Sequence, residues 1–400
     1  MTRWLTMKGF QFIWFMIIFN LCLSCLKSSQ AEHDKDALWS VRMAEAVMNR
    51  FDSLIYYNDP VKVKWQYDIA MLGQAIDKLG SADKNFSLYM QEFSDYFVQQ
   101  DGIVKLYKRS DYNLDHINPA KNLLTLYKRT GEQKYLEAIN QFIIHLEEQP
   151  VTSEGGFWHK KRYPWQMWLD GIYMSSPFMA QYAKEFDQPE WFNTVALQIT
   201  LIYEKTLDGE SGLLYHAWDE SRQQKWADPG SGCSPHFWGR AMGWYMMALV
   251  DVLDYFPPDH PGREDILTIL NQVAESLLKV RDPATGLWYQ VLDQGGREGN
   301  YLEASCSSMI TYAFAKGAKN GHLPDKYHEV ADATFESILK EFIQKDEDGM
   351  ASLTGICGAA GLGGDPYRDG SYEYYVNEKI VKNDPKGVGP FILAAIELKR

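Results

Sequence analysis

The sequence predicts an all-α protein, an (α/α)6 barrel of about twelve helices with long loops on one rim. Three observations carry that prediction. From about Asp34 onward the apolar residues recur mostly at i, i+3, i+4 and i+7, the spacing of one helical face. The connections alternate between tight turns and long loops rich in glycine and aromatic residues. No composition shift or linker divides residues 33–400, so these helices are expected to share one core. At 400 residues, 46% of them hydrophobic and 14% aromatic, the chain has ample material for it.

Helices are expected near residues 36–52, 63–79, 83–99, 115–129, 133–147, 171–186, 188–204, 236–255, 262–280, 303–319, 324–344 and 388–398. Gly131 ends one helix and opens the next, and prolines do the same at Phe186-Asp-Gln-Pro-Glu-Trp191 and Phe256-Pro-Pro-Asp-His-Pro261. The longer connections, 148–169, 205–235, 281–302 and 345–387, follow every second helix and therefore gather at one end. Active sites are built from such loops. Alternating stretches within them, such as Gly286-Leu-Trp-Tyr-Gln-Val-Leu292, suit short strands.

Residues 1–24 read as an export signal: Arg3 and Lys8 precede the apolar run Phe10 to Leu23, which is short for a membrane span. Leu21-Cys-Leu-Ser-Cys25 matches a bacterial lipoprotein box with Cys25 as the acylated residue, and simple cleavage and free secretion is the alternative. The expected location is the periplasm or a lipid anchor at the membrane. Cys233, Cys306 and Cys357 are too few and too widely spaced for a disulfide framework or a metal cluster, although one pair has the option of bridging. The net charge is −13, two units more negative without Arg3 and Lys8, which disfavours nucleic acid and long polyanions. An anionic ligand is then expected to be short and held by a few local cations.

Pro164-Trp-Gln-Met-Trp-Leu-Asp-Gly-Ile-Tyr-Met174 is the leading stretch. Asp170 among Trp165, Trp168 and Tyr173 is expected to be poorly solvated, with its pKa raised as an acid catalyst needs; the bland alternative is a helix N-cap. Rings beside a carboxyl group also suit the C–H faces of a sugar. Asp115, in Tyr112-Asn-Leu-Asp-His-Ile-Asn-Pro, supplies a second carboxylate or another cap. His216 sits between Tyr215 and Trp218 in a long loop and suits a sugar hydroxyl better than a metal. In Ser234-Pro-His-Phe-Trp-Gly-Arg-Ala-Met-Gly-Trp244, Pro235 is placed in a first helical turn, with His236, Arg240 and Trp244 on one face. Arg240 there is read as a carboxylate ligand and Trp244 as a sugar platform, against a structural cation–π pair. Gly239 and Gly243 allow close approach by chain or ligand. The glycine-rich 355–364 lacks the lysine of a phosphate loop and fits a rim loop leading into Tyr-rich 366–375.

Together Asp115-His-Ile-Asn-Pro, Trp168-Leu-Asp-Gly-Ile-Tyr-Met, Tyr215-His-Ala-Trp-Asp, Trp238-Gly-Arg-Ala-Met-Gly-Trp, Glu303-Ala-Ser-Cys-Ser and Gly370-Ser-Tyr-Glu-Tyr-Tyr resemble glycoside hydrolase family 105, the unsaturated rhamnogalacturonyl hydrolases, and more distantly family 88. One departure is Ala120-Lys121, where Gly-Arg is expected. The resemblance implies hydration of the C4=C5 enol ether of a 4,5-unsaturated uronic acid at the non-reducing end of lyase-generated oligosaccharides. It implies Asp170 as the proton donor to C4 and then the base, Asp115 as the group that positions water or substrate, and Tyr67, Trp168, His216, Trp238, Arg240 and Trp244 at substrate-binding positions. Neither metal nor cofactor is implied, and the partners are short unsaturated oligosaccharides, with no indication of oligomeric state. An inverting glycosidase on the same barrel, or a glycan-binding lipoprotein without catalysis, are the competing readings.

Overall fold

The computed structural model describes residues 38–57 and 63–400; the expected export signal, residues 1–24, and the candidate acylation site Cys25 lie outside the described residues. Thirteen α-helices are formed among them. Outer helices α1 (Trp39–Arg50), α3 (Lys84–Phe97), α5 (Gln133–Glu147), α7 (Glu190–Thr206), α9 (Pro261–Lys279) and α11 (Lys326–Phe342) surround an inner ring. That ring consists of α2 (Tyr67–Asp77), α4 (Ala120–Thr130), α6 (Leu169–Glu185), α8 (Gly239–Val252), α10 (Ala304–Lys319) and α13 (Pro385–Leu398). This is the (α/α)6 barrel. It closes where α13 packs on both α2 and α1, and the Ser40 amide donates to the Arg400 carbonyl at 3.1 Å.

The inner helices are apolar nearly all round, as helices walled on every side must be. Trp238, Trp244 and Trp288 are among the largest fully buried side chains, each stabilising by about 2–3 kcal/mol through the area removed from water. Gly243 of α8 faces α10 so closely that an added Cβ would stand 2.9 Å from Met309. The close approach that glycine allows here is by chain. Cys233, Cys306 and Cys357 are buried and free, with no bridge between any pair.

The long connections run from each outer helix to the next inner one, so their residues converge on the inner-helix N-termini. Crossing 98–119 belongs to this set although its length did not single it out. Helix α4 starts at Ala120, not 115, because Asn118-Pro119 interrupts; Asp115 sits instead in a single 3-10 turn, Leu114–His116, capped by Asn113. Likewise α8 starts at Gly239, after an extended Trp238, so Pro235 and His236 precede the helix. The short helix α12 (Tyr372–Val376) was not foreseen. Residues 286–292 form only isolated bridges, Trp238 with Val291 and Tyr289 with Leu302. The strand pair that matters to the site is β1 (Gln166–Trp168) antiparallel to β2 (Ala217–Asp219), with Trp168 opposite Ala217.

Candidate active site

That strand register places Asp170 and His216 side by side. The Leu169 amide donates to the His216 carbonyl at 3.1 Å, and one residue later Asp170 enters the first turn of α6. Trp168 is the N-cap and makes no side-chain cap, so Asp170 is not the cap its position suggested. Its carboxylate instead gains from the helix N-terminus. Asp115 is no cap either, since its own amide is held by Asn113 at 3.1 Å.

Asp170 and Asp115 line one cavity of about 160 Å³, together with Tyr67, His159, Lys160, Arg162, Tyr163, Trp168, Met174, Ala360 and Arg368. Trp168 forms the middle of a three-ring stack, with His159 at 4.6 Å and 9° on one side and Tyr163 at 5.1 Å and 14° on the other. Arg162 lies 4.8 Å over Tyr163, and Arg368 donates to the Tyr163 hydroxyl at 2.9 Å. The wall therefore combines flat rings, two carboxylates and three cations.

The electrostatics reverse one expectation. Burial does push the Asp170 carboxyl up, but the contact with His216 leads the opposing interactions, which outweigh it and hold the group below the usual carboxylate range. The raised pKa read from the aromatic surroundings is absent because a histidine stands beside the carboxyl, which the local sequence does not show. His216 Nε2 lies 3.2 Å from Asp170 Oδ2, off the line of an ideal bond. Asp115 is pushed up by burial and pulled down further by Lys160, in direct contact, and by His159 at 3.5 Å. Both carboxylates are thus anions in the free site. Desolvation carries His159 down to about 4, so its ring is neutral.

Of the residues expected to touch a ligand, Tyr67 and Trp168 join the two carboxylates at the cavity. His216, Trp238, Arg240 and Trp244 do not line it; their side chains are almost wholly buried behind it. Trp244 supports Tyr67 edge-on at 5.9 Å and stacks on Tyr173 at 4.9 Å, so it is not an open sugar platform. Arg240 donates to the Cys357 carbonyl and to Ser305 Oγ and lies 4.9 Å over Trp238, a structural cation–π contact with a different tryptophan from the Trp244 of its own helix face. Trp165 is turned outward, 42% exposed beside Trp158, and does not wall Asp170. His159, Lys160, Arg162, Tyr163 and Arg368 were missed. The signal for most of them was the basic run His159-Lys-Lys-Arg-Tyr163, unusual in so acidic a chain. Among the described residues no group of three His, Cys, Asp or Glu side chains could hold a metal ion.

A six-hairpin helical barrel with paired carboxylates, stacked rings and arginines at its rim has the make-up of a carbohydrate-active enzyme. The comparisons with known proteins identify the class: residues 39–400 match the model of Glycosyl Hydrolase Family 88. A solved glycoside hydrolase from family 105 of C. acetobutylicum shares 42% identity, with a TM-score of 0.87, over 91% of this chain and 99% of that one. The chain belongs to the family 88 and family 105 group of glycoside hydrolases. A Bacillus subtilis protein named unsaturated rhamnogalacturonyl hydrolase YesR is 27% identical over 237 residues, 57% of this chain and 64% of its own length. The unsaturated glucuronyl hydrolase of Bacillus sp. GL1 shares the fold, with a TM-score of 0.61 at 11% identity over 90% of this chain and 95% of that one.

Proposed function

We propose that this glycoside hydrolase removes a 4,5-unsaturated uronic acid from the non-reducing end of short lyase-generated oligosaccharides of the pectin or rhamnogalacturonan type, by hydrating the C4=C5 enol ether. The observation that carries the reading is the cavity of about 160 Å³, room for one sugar ring, in which Asp170 and Asp115 meet Lys160, Arg162 and Arg368. Lys160 is engaged with Asp115 and Arg368 already donates through Nε and Nη2 to Gly363, Leu362 and Tyr163, which leaves Arg162 and the remaining Arg368 nitrogen for a uronate carboxylate. The names of relatives that act on unsaturated uronyl sugars support the same substrate class.

In the free site Asp170 is an anion. An arriving uronate excludes water and adds negative charge, and both raise the Asp170 pKa, so the complex rather than the free enzyme holds the acid. The proton passes to C4 and the double-bond electrons close that C–H bond, leaving an oxocarbenium-like C5. Asp170, again a carboxylate, takes a proton from the water that bonds to C5. The hemiketal then opens to a 5-keto acid, and C1, now a hemiacetal, releases the remaining sugar. Asp115, kept anionic by Lys160, stabilises the positive charge at C5 and orients the water. Export, free or through a lipid on Cys25, places such an enzyme among oligosaccharides outside the cytoplasm.

Incubation with a lyase-generated disaccharide should abolish the ultraviolet absorbance of the enol ether, and heavy water should place deuterium at C4. Asp170→Asn should lower turnover by at least about 10³-fold while binding persists. Cleavage of a saturated disaccharide without label would establish the inverting glycosidase instead, and binding with no turnover of any substrate would leave a glycan receptor.

A further inference from the structure

Helix α12 brings Tyr375 from the far end of the 343–384 crossing to the back of His216. The Tyr375 hydroxyl is 2.7 Å from His216 Nδ1, while His216 Nε2 is 3.2 Å from Asp170 Oδ2. The tyrosine is rigidly held. Its ring stacks on Trp238 at 5.9 Å and 23°, and its carbonyl accepts from Gln290 Nε2 at 3.0 Å. The helix itself is tied down by Arg297, which lies 3.6 Å over Tyr372 and 2.8 Å from Glu373.

We propose that Tyr375 is a positioning residue that fixes His216 as the Nε2–H tautomer and so sets a donor, not a lone pair, beside Asp170. The phenol is buried without exposure and burial holds it protonated, so it has a proton to give. The imidazole nitrogen beside it is the group placed to accept. With Nδ1 accepting, the ring proton of a neutral His216 must sit on Nε2. The other tautomer would set the Nε2 lone pair against a carboxylate oxygen at 3.2 Å and leave the phenol proton unused in a dry interior. The consequence for catalysis rests on the role given to Asp170 above; the tautomer does not. Negative charge returns to Asp170 as its proton leaves for C4, and a donor fixed there beforehand favours that transfer. Asp170 is also faced by His159 from the crossing before α6, and by Asp115, Lys160, Arg162 and Arg368 across the cavity. None of these touches His216 Nδ1, so the tautomer is set from the Tyr375 side.

Two readouts test this. Nitrogen NMR of histidine-labelled protein, with His216 assigned by His216→Gln, should show Nε2 protonated and Nδ1 bare in the wild type. Tyr375→Phe should yield a mixture of tautomers, lower kcat about 10-fold with KM within about twofold, and move the pH limb governed by Asp170 upward. A wild-type Nδ1–H tautomer would overturn the proposal. So would a folded Tyr375→Phe protein with an unchanged tautomer and pH profile, even if its kcat fell. The wild-type spectrum decides the matter if the variant does not fold. It needs no substrate, so it stands apart from failure of the enol-ether assay, which would sink the functional reading alone.

Discussion

At the scale of single residues, the acid of this site is made by its ligand. His216 keeps Asp170 ionised in the free protein, against the burial that would otherwise neutralise it. Binding of a uronate should therefore take up a proton. Calorimetry of a saturated uronyl disaccharide near pH 6 in two buffers of different ionisation heat should show uptake of about one proton, and zero uptake would refute the sequence of events proposed for Asp170. In kinetics, kcat/KM should fall with rising pH from well below neutrality, while kcat holds to a higher pH, because the two report free and bound enzyme. Both carboxylates could be picked out of the sequence, since Asp170 among tryptophans and Asp115 before a proline stand out locally. Their charge state could not. It depends on His216 and Lys160, which lie 46 and 45 residues away along the chain and arrive through strand pairing and a loop.

At the scale of elements, neighbouring inner helices meet through matched side chains, and one meeting is costly. Lys121 of α4 is buried with Nζ 4.1 Å over the ring of Tyr173 on α6 and no hydrogen-bond partner, and desolvation takes its pKa down to about 7. This is the residue where an arginine was expected. The unfolded chain holds the Lys121 proton up to about pH 10.4 and the folded one only to about 7. The penalty is thus complete below pH 7 and fades as pH rises toward 10. Lys121→Met should raise Tm by roughly 2–4 °C at pH 7 and by less at pH 9, as read by calorimetry. A lower Tm at both pH values would mean that Lys121 is a net stabiliser. Helix periodicity revealed all twelve long helices among the described residues, because each buries a stripe or more of apolar side chains. Short α12 and the 3-10 turn at 114–116 were invisible, being too brief for any period to register and fixed by tertiary contacts.

At the scale of the whole molecule, burial of histidines sets acid sensitivity. His145 and His159 are both carried down to about 4, from an unfolded value near 6.5, and His116, His236 and His322 are lowered as well. Between pH 6.5 and 4 the unfolded chain binds more protons than the folded one, so stability is lost as pH falls through that window. Asp115 and Asp170, held low, extend the loss further down, and Asp68 and Asp254, raised, oppose it. Tm should drop by on the order of 5 °C or more between pH 7 and pH 5, and a flat Tm over that range would contradict the burial of these rings. The ring closure has a consequence for how the protein is made. Helix α1 finds its helical partner, and α2 the partner for its second flank, only in α13, more than three hundred residues later. During synthesis the first two helices leave the ribosome with an apolar flank uncovered until the last one follows, so every unfinished chain is an open arc and the barrel is sealed in a single late step.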